Sequence, residues 1–456
     1  MSFDQILFLP FAVVAFILFR LLPAQRGWVL LAASLGFYLF AGWKDLVVVA
    51  ILVLVNYQLS AHVRKGRGWL LLAIAANLLP LVYFKYRGFL FGDAMTSDVF
   101  SSAIMIPLGL SFYVFQFLAY QVDVYRHRIE PTKSLSLLAL FILFFPHQVA
   151  GPIMRGHELI PQLAPGFRGQ LAHRPLYGLG LALCLLGLIK KVVFADSLAP
   201  FSDAAFALGP ADPASAWIGA AVFTLQIYLD FSGYSDIAVG LGYLLGVHLP
   251  FNFRQPYLAL TPQDFWRRWH VTLSTWIRDY LYIPMGGRHG GAAQQAAVLV
   301  ITMGLAGLWH GASWTFVFWG IGWGLAIVLW RIGGGALARL GRLQWVFTFL
   351  IVLLLWVPFR SASLADMQNY FSMMAGLGGL SADGWRVDAA DILLVLPGLA
   401  LLLVSQFGER RLFTAAATRQ LLRADGVLLR STLFGLITWL MLLPRGDVNP
   451  FIYFRF

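Results

Sequence analysis

Apolar stretches of roughly 17 to 25 residues, the length a helix needs to cross a bilayer, recur from one end of this chain to the other. No polar segment between them is long enough to fold as a soluble domain of its own. Only 12% of the 456 residues are charged and 59% are hydrophobic, whereas soluble domains carry about 25% charged residues. An ordinary globular core is thereby excluded. The chain reads as an all-α polytopic membrane protein, a single membrane domain over 1–456 with about eleven to thirteen membrane helices, half-spans included.

Candidate spans fall at 5–23, 28–42, 46–60, 69–84, 103–122, 176–194, 216–230, 235–248, 293–309, 312–330, 344–358, 391–407 and 431–444. The opening ILFLPFAVVAFILF follows Asp4, with no basic n-region and no small-residue cleavage site, so it reads as a retained span rather than a signal peptide. A net charge of +12 invites a nucleic-acid reading, but the basic residues sit in short clusters between apolar runs. Arg64, Lys65 and Arg67, then Arg126, His127 and Arg128, then Arg331, Arg339 and Arg342, then Arg410 to Arg430 mark cytoplasmic turns by the positive-inside bias. The partner implied is the lipid bilayer and not nucleic acid. Counting one span beyond the last basic loop places the C-terminus outside.

Two regions break the pattern. In LFFPHQVAGPIMRGHELIPQL, residues 143–163, Pro146, Gly151 and Pro152 interrupt an apolar run before it reaches spanning length. Irregular backbone at membrane depth is tolerated only where protein buries it or it lines a cavity, so a re-entrant element is expected. The other is 250–290, too polar for lipid and too aromatic for a free loop. Thr261 as N-cap, Pro262 at the first helical position and Asp264 in the first turn predict a helix over 262–281. Its Phe265, Trp269, Thr272 and Trp276 share one face, with Arg267 and Arg278 at another angle. Such a helix suits the membrane surface, or closes a cavity that receives an anionic ligand.

Chemistry in this chain is scarce. Cys184 is the one cysteine, so no intrachain disulfide forms. The nine histidines make no HExxH pattern and no Cys/His cluster, which argues against a zinc site. There is no GxSxG elbow and no Walker loop, and glycine runs such as GLGYLLG lie in apolar helices, where close helix packing explains them. His310 remains, alone within MGLAGLWHGASWTFVFWG. An ionisable group at membrane depth is a functional hypothesis by default, although a hydrogen-bonded structural histidine is the plain alternative.

FPHQVAGPIMR, FSGYSDIAVGLGYLLG, PFNFRQPY, FWRRWHVTLSTWIRDYLYIPMGG and LWHGASWTFVFWG, in this order along the chain, resemble the membrane-bound O-acyltransferase (MBOAT) family. The similarity is greatest to the bacterial branch that contains the alginate O-acetyltransferase membrane component and the teichoic-acid D-alanyl transfer subunit, and it covers about residues 100–330. The resemblance implies an MBOAT fold whose helices surround a central tunnel. It also implies a catalytic histidine at His310 and a second polar catalytic residue at His270, forty positions earlier. Imidazole suits the proton work, because acyl transfer to a hydroxyl needs a base for the hydroxyl proton and a donor for the oxyanion. Asn252, Arg254 and Arg278 are weaker candidates for substrate contacts. The C-terminal NPFIYFRF, with its FIYxxF tail at 451–456, resembles a motif of the same wider system in which the tyrosine, here Tyr453, carries the acyl group; aromatic anchoring at the interface is the alternative.

The activity implied is transfer of acetyl from a cytoplasmic donor, acetyl-CoA, across the membrane for O-acetylation of an exopolysaccharide such as alginate or cellulose. No bound cofactor and no metal are expected. The implied partners are an extracytoplasmic SGNH-type acetyltransferase or polysaccharide assembly proteins, and the implied location is the inner (plasma) membrane with a periplasmic C-terminus. D-Alanyl transfer from a carrier protein to teichoic-acid-type polymers is the alternative within the fold. A transporter without covalent chemistry is the alternative outside it; paired intramembrane carboxylates, which proton coupling would call for, are not evident in the sequence.

Overall fold

The computed structural model describes residues 3–92, 106–148, 151–381, 383–388, 396–400 and 426–442. Among these, the chain is helical with no β-strand beyond one isolated bridge, Pro210 to Trp385. Among the described residues, seven helices are long and apolar enough to cross a membrane, or eight if the bent pair Phe8–Leu21 and Pro23–Leu39, which turns by 109°, counts as one span. The protein is a multi-pass membrane protein. Its exposed apolar side chains, Ile51, Leu71, Leu79, Leu329 and Trp439 among them, are what a lipid-facing helix surface requires, since lipid is as apolar as leucine.

The chain divides into two compact units. The first comprises Met1–Leu185, Tyr234–Pro250 and Ala424–Leu443, the second Leu186–Gly233, Phe251–Arg423 and Pro444–Phe456. In the first unit, helices Trp43–Ser60, Arg67–Leu81 and Leu110–Tyr125 are tied by buried amides. Asn56 and Asn77 donate to each other's side-chain oxygen at 2.9 Å, and Gln121 donates to the Asn56 side chain at 2.9 Å. Side-chain hydrogen bonds of this kind hold helices together where the hydrophobic effect cannot.

The interruption expected in 143–163 is present. Helix Leu135–Leu143 stops, the backbone is non-helical over 144–148 and 151–155, and a short helix runs over Gly156–Leu163. Phe144, Phe145, His147, Gln148, Ile153 and Met154 are all buried in protein. His147 Nε2 faces the Phe141 carbonyl at 3.1 Å and its Nδ1 faces Gln116 Nε2 at 3.2 Å. The carbonyl needs a donor and the amide needs an acceptor, so the proton lies on Nε2.

Two expectations are corrected. The separate spans 216–230 and 235–248 are one helix, Pro213–Leu245, of 33 residues. At 1.5 Å per residue it is roughly 50 Å long, well beyond a ~30 Å hydrocarbon core. The FSGY segment at its centre, read as a break, stays helical because Gly233 serves packing: a Cβ there would lie 2.7 Å from the Gly187 carbonyl oxygen. The single helix over 262–281 is likewise broken, into Pro262–Trp266 and Val271–Ile277. Its start is as read, with Thr261 Oγ1 accepting from the Asp264 N–H at 3.0 Å and Pro262 in the first turn. Nor does its aromatic face lie on a membrane surface, because Phe265, Trp269 and Trp276 are at most 3% exposed.

Candidate active site

His310 is the last residue of helix Ala292–His310, 4% exposed. The extended Gly311 ends that helix, and two residues on Ser313 caps the next, Trp314–Ile332, its Oγ accepting from the Thr315 N–H at 3.3 Å. This tight hairpin depends on missing side chains. A Cβ on Gly307 would collide with the Phe316 carbonyl, and one on Gly320 with the Met303 carbonyl. Close backbone approach through small residues is the usual helix contact in membranes. The hairpin delivers the imidazole into an aromatic enclosure, with ring centroids 4.8 Å from Trp309, 5.0 Å from Trp319 and 5.2 Å from Phe359, each close to edge-on.

His270 marks the break in the 262–281 segment. Its backbone is left-handed, φ 41° and ψ 56°, a conformation uncommon for any residue but glycine and costing of order 1–3 kcal/mol. The neighbouring chain holds it there. The Arg254 N–H donates to the Arg268 carbonyl and the Val271 N–H to the Asn252 carbonyl, both at 2.9 Å, so 252–254 runs antiparallel against 268–271. Thr272 Oγ1 adds a 2.7 Å hydrogen bond to Asn252 Oδ1. The ring is fully buried, 4.8 Å edge-on from Phe231, and neither nitrogen has a hydrogen-bond partner among the described residues. Burial lowers its pKa to about 3, so the imidazole is neutral at physiological pH.

A row of rings runs between the two histidines. Trp319 stacks on Trp356 at 6.0 Å, Trp356 meets Trp269 at 4.9 Å, and Trp269 meets Phe231 at 6.4 Å. Asn252 and Arg254 lie beside His270 and brace its turn, the first buried and the second exposed. Arg278 stands apart from them. It is exposed and chelated by its neighbour Asp279, with Nε to Oδ1 at 2.7 Å and Nη2 to Oδ2 at 3.1 Å, and that hydrogen-bonded carboxylate raises its pKa. Tyr453 lies outside the described residues.

Sequence reading missed a buried ionic group in the same unit. Lys191 Nζ is 2.8 Å from both Asp196 Oδ1 and Asp230 Oδ1, with Lys191 and Asp230 side chains only 2% and 3% exposed. The next residue back, Lys190, is buried with its ammonium 5.8 Å from the Tyr228 ring centre. Carboxylates within candidate spans therefore do come in a pair, bridged by a lysine, where none was evident from the sequence. The signal was available: Lys190, Lys191 and Asp196 interrupt an apolar span, and Asp230 interrupts another. Asp230 is distant from the other three in sequence but meets Lys191 in space, and the local turn at 189–195 is a π-helix, a form frequent at functional sites.

Residues 31–377 match the family model of MBOAT, the membrane-bound O-acyltransferase family. The chain is 36% identical, over 88% of its own length and 83% of the relative's, to the Azotobacter vinelandii protein named "Probable alginate O-acetylase AlgI". It is 35% identical to the Helicobacter pylori peptidoglycan O-acetyltransferase, with 80% and 76% covered, and 25% identical to the Bacillus subtilis teichoic acid D-alanyltransferase, with 62% and 71% covered. Both His270 and His310, and the aromatic row between them, lie inside the matched stretch. The chain belongs to the membrane-bound O-acyltransferase family.

Proposed function

We propose that this acyltransferase takes acetyl from cytoplasmic acetyl-CoA and passes it across the membrane for O-acetylation of an exopolysaccharide such as alginate or cellulose. The observation that carries the reading is His310, a buried imidazole held in an aromatic enclosure by a glycine-tied hairpin within the family's matched region. The names of the relatives that cover most of the chain support acetyl as the group and a glycan as its destination.

In this mechanism the acceptor hydroxyl attacks the thioester carbonyl carbon while its proton passes to His310. The tetrahedral intermediate collapses, the carbon–sulfur bond breaks, and the imidazolium returns its proton to the leaving thiolate. A dry aromatic enclosure favours this chemistry because water, the competing acceptor, is kept out. His270, buried and neutral, orients the donor at the other end of the aromatic row. Asn252 and Arg254 act through its backbone, and Arg278 meets the donor at an exposed position. The route is a tunnel between the membrane faces, and Tyr453 accepts the acetyl before an SGNH-type acetyltransferase or polysaccharide assembly protein takes it. The membrane is the inner (plasma) membrane, with the C-terminus periplasmic.

Replacing His310→Ala is expected to abolish polymer acetylation while leaving protein level and polymer synthesis intact; unchanged acetylation rejects the assignment. Labelled acetyl on the C-terminal peptide, read by mass spectrometry and lost in Tyr453→Phe, tests the carrier step separately. D-Alanyl transfer, which draws on relatives at 25% identity, predicts instead that a charged carrier protein replaces acetyl-CoA as donor.

A further inference from the structure

Two tryptophans of the His310 unit, each more than a third exposed, spend their indole N–H on main-chain carbonyls: Trp217 on Met374 at 3.0 Å and Trp345 on Tyr257 at 2.6 Å. Four others show the reverse. Trp266, Trp319, Trp323 and Trp356 are at most 7% exposed, yet none of their Nε1 atoms has an acceptor among the described residues. Leaving a buried donor without an acceptor is energetically costly, and aromatic faces nearby are only weak substitutes. The four form one cluster. Trp319 meets Trp266 at 5.8 Å and Trp356 at 6.0 Å, and Trp266 meets Trp323 at 5.5 Å. Trp319 is also the one whose ring stands 5.0 Å from His310, at 88° to it.

Buried unpaired polar groups in a native protein call for an explanation, and here the cluster adjoins a buried base. We infer that the Trp319 indole is the oxyanion donor of the transfer, its Nε1–H hydrogen-bonding the thioester carbonyl oxygen. Trp356 and Trp266 hold the ring in place. This rests on acyl transfer at His310. As the hydroxyl oxygen bonds to the carbonyl carbon and its proton moves to His310, the carbonyl π electrons move onto the oxygen that faces Trp319. They return when the carbon–sulfur bond breaks and the thiolate takes the proton back. The indole donates throughout and loses no proton. A hydrogen bond to an oxyanion is stronger than one to a neutral carbonyl, so the contact favours the transition state over bound donor.

The test uses full-length protein in detergent with acetyl-CoA and an alginate oligosaccharide as the hydroxyl acceptor, following thiol release. Trp319 is replaced by 3-benzothienylalanine, which keeps the bicyclic shape and substitutes sulfur for N–H, and in parallel by Trp319→Phe. For the benzothienyl protein the expected result is a fall in kcat of about 10²–10³, little change in KM and a thermal midpoint no lower than that of the parent, with the same replacement at Trp345 leaving kcat as it was. A kcat within a factor of about three of the unmodified protein overturns the inference, as does a fall that appears in KM alone. His310→Ala separates the failures. If that variant still releases thiol at the full rate, the acyl-transfer reading itself is wrong; if it is inactive while the benzothienyl protein is fully active, only the role of Trp319 is wrong.

Discussion

At the scale of the residue, His270 joins two costly features: complete burial and a left-handed backbone. Its folded pKa of about 3 lies below the ordinary 6.5, so between those values the unfolded chain binds the extra proton. The stability of the native state therefore falls as pH drops from 6.5 toward 3, by at most about 1.4 kcal/mol per pH unit from this group. Thermal midpoints measured from pH 7 to pH 5 are expected to fall less steeply in His270→Gln than in the parent protein; equal slopes would show that the ring is protonated or solvated in the fold. The backbone can be separated from the ring. His270→Gly relieves the positive φ and is expected to retain the fold while losing activity, whereas His270→Val, β-branched, suffers the strain and is destabilised by about 1–3 kcal/mol. No periodicity in FWRRWH foretells the left-handed residue, because its cause is the pairing with 252–254.

At the scale of the element, the decisive piece is the hairpin Ala292–His310 and Trp314–Ile332. Gly307 and Gly320 sit where the two backbones touch, while a Cβ on Gly335, just beyond the second helix, would meet nothing within 4 Å among the described residues. Gly307→Leu is expected to lower the thermal midpoint and to remove activity by displacing His310, with Gly335→Ala as a neutral control. Protein of normal midpoint from Gly307→Leu would mean that the helices separate without cost. Among the described residues, element existence was legible wherever an apolar run of spanning length was present, the expected span 391–407 lying largely outside them, and the cap at Thr261 was legible from its residue types. Two boundaries were not. The FSGY segment has the look of a turn, and only the approach of Gly187 explains its glycine within a continuous helix; the 267–270 break has helical residues throughout, and only its neighbours bend it.

At the scale of the whole molecule, a membrane protein must find partners for every charge that it takes out of water. Lys191 answers both Asp196 and Asp230. Removing one member of such a buried group leaves an uncompensated charge, at about 3–5 kcal/mol. Lys191→Met is thus expected to reduce folded protein recovered from membranes sharply, and Lys191→Met with Asp230→Asn to recover part of it; no recovery in the double variant would mean that Lys191 has a duty beyond neutralising Asp230. Composition and the length of its apolar runs determined that this chain is a helical membrane protein, because a bilayer accepts no other backbone from such a sequence. Ordered motifs around His270 and His310 determined its family. Only the tertiary structure decided which groups share a site: the lysine with its two aspartates, the strand-like brace behind His270, and the unpaired indoles beside His310. Each of these groups is completed by residues far apart in the chain, Asp230 with Lys191 and Trp356 with Trp319, and a one-dimensional pattern records which faces are apolar but not which faces meet.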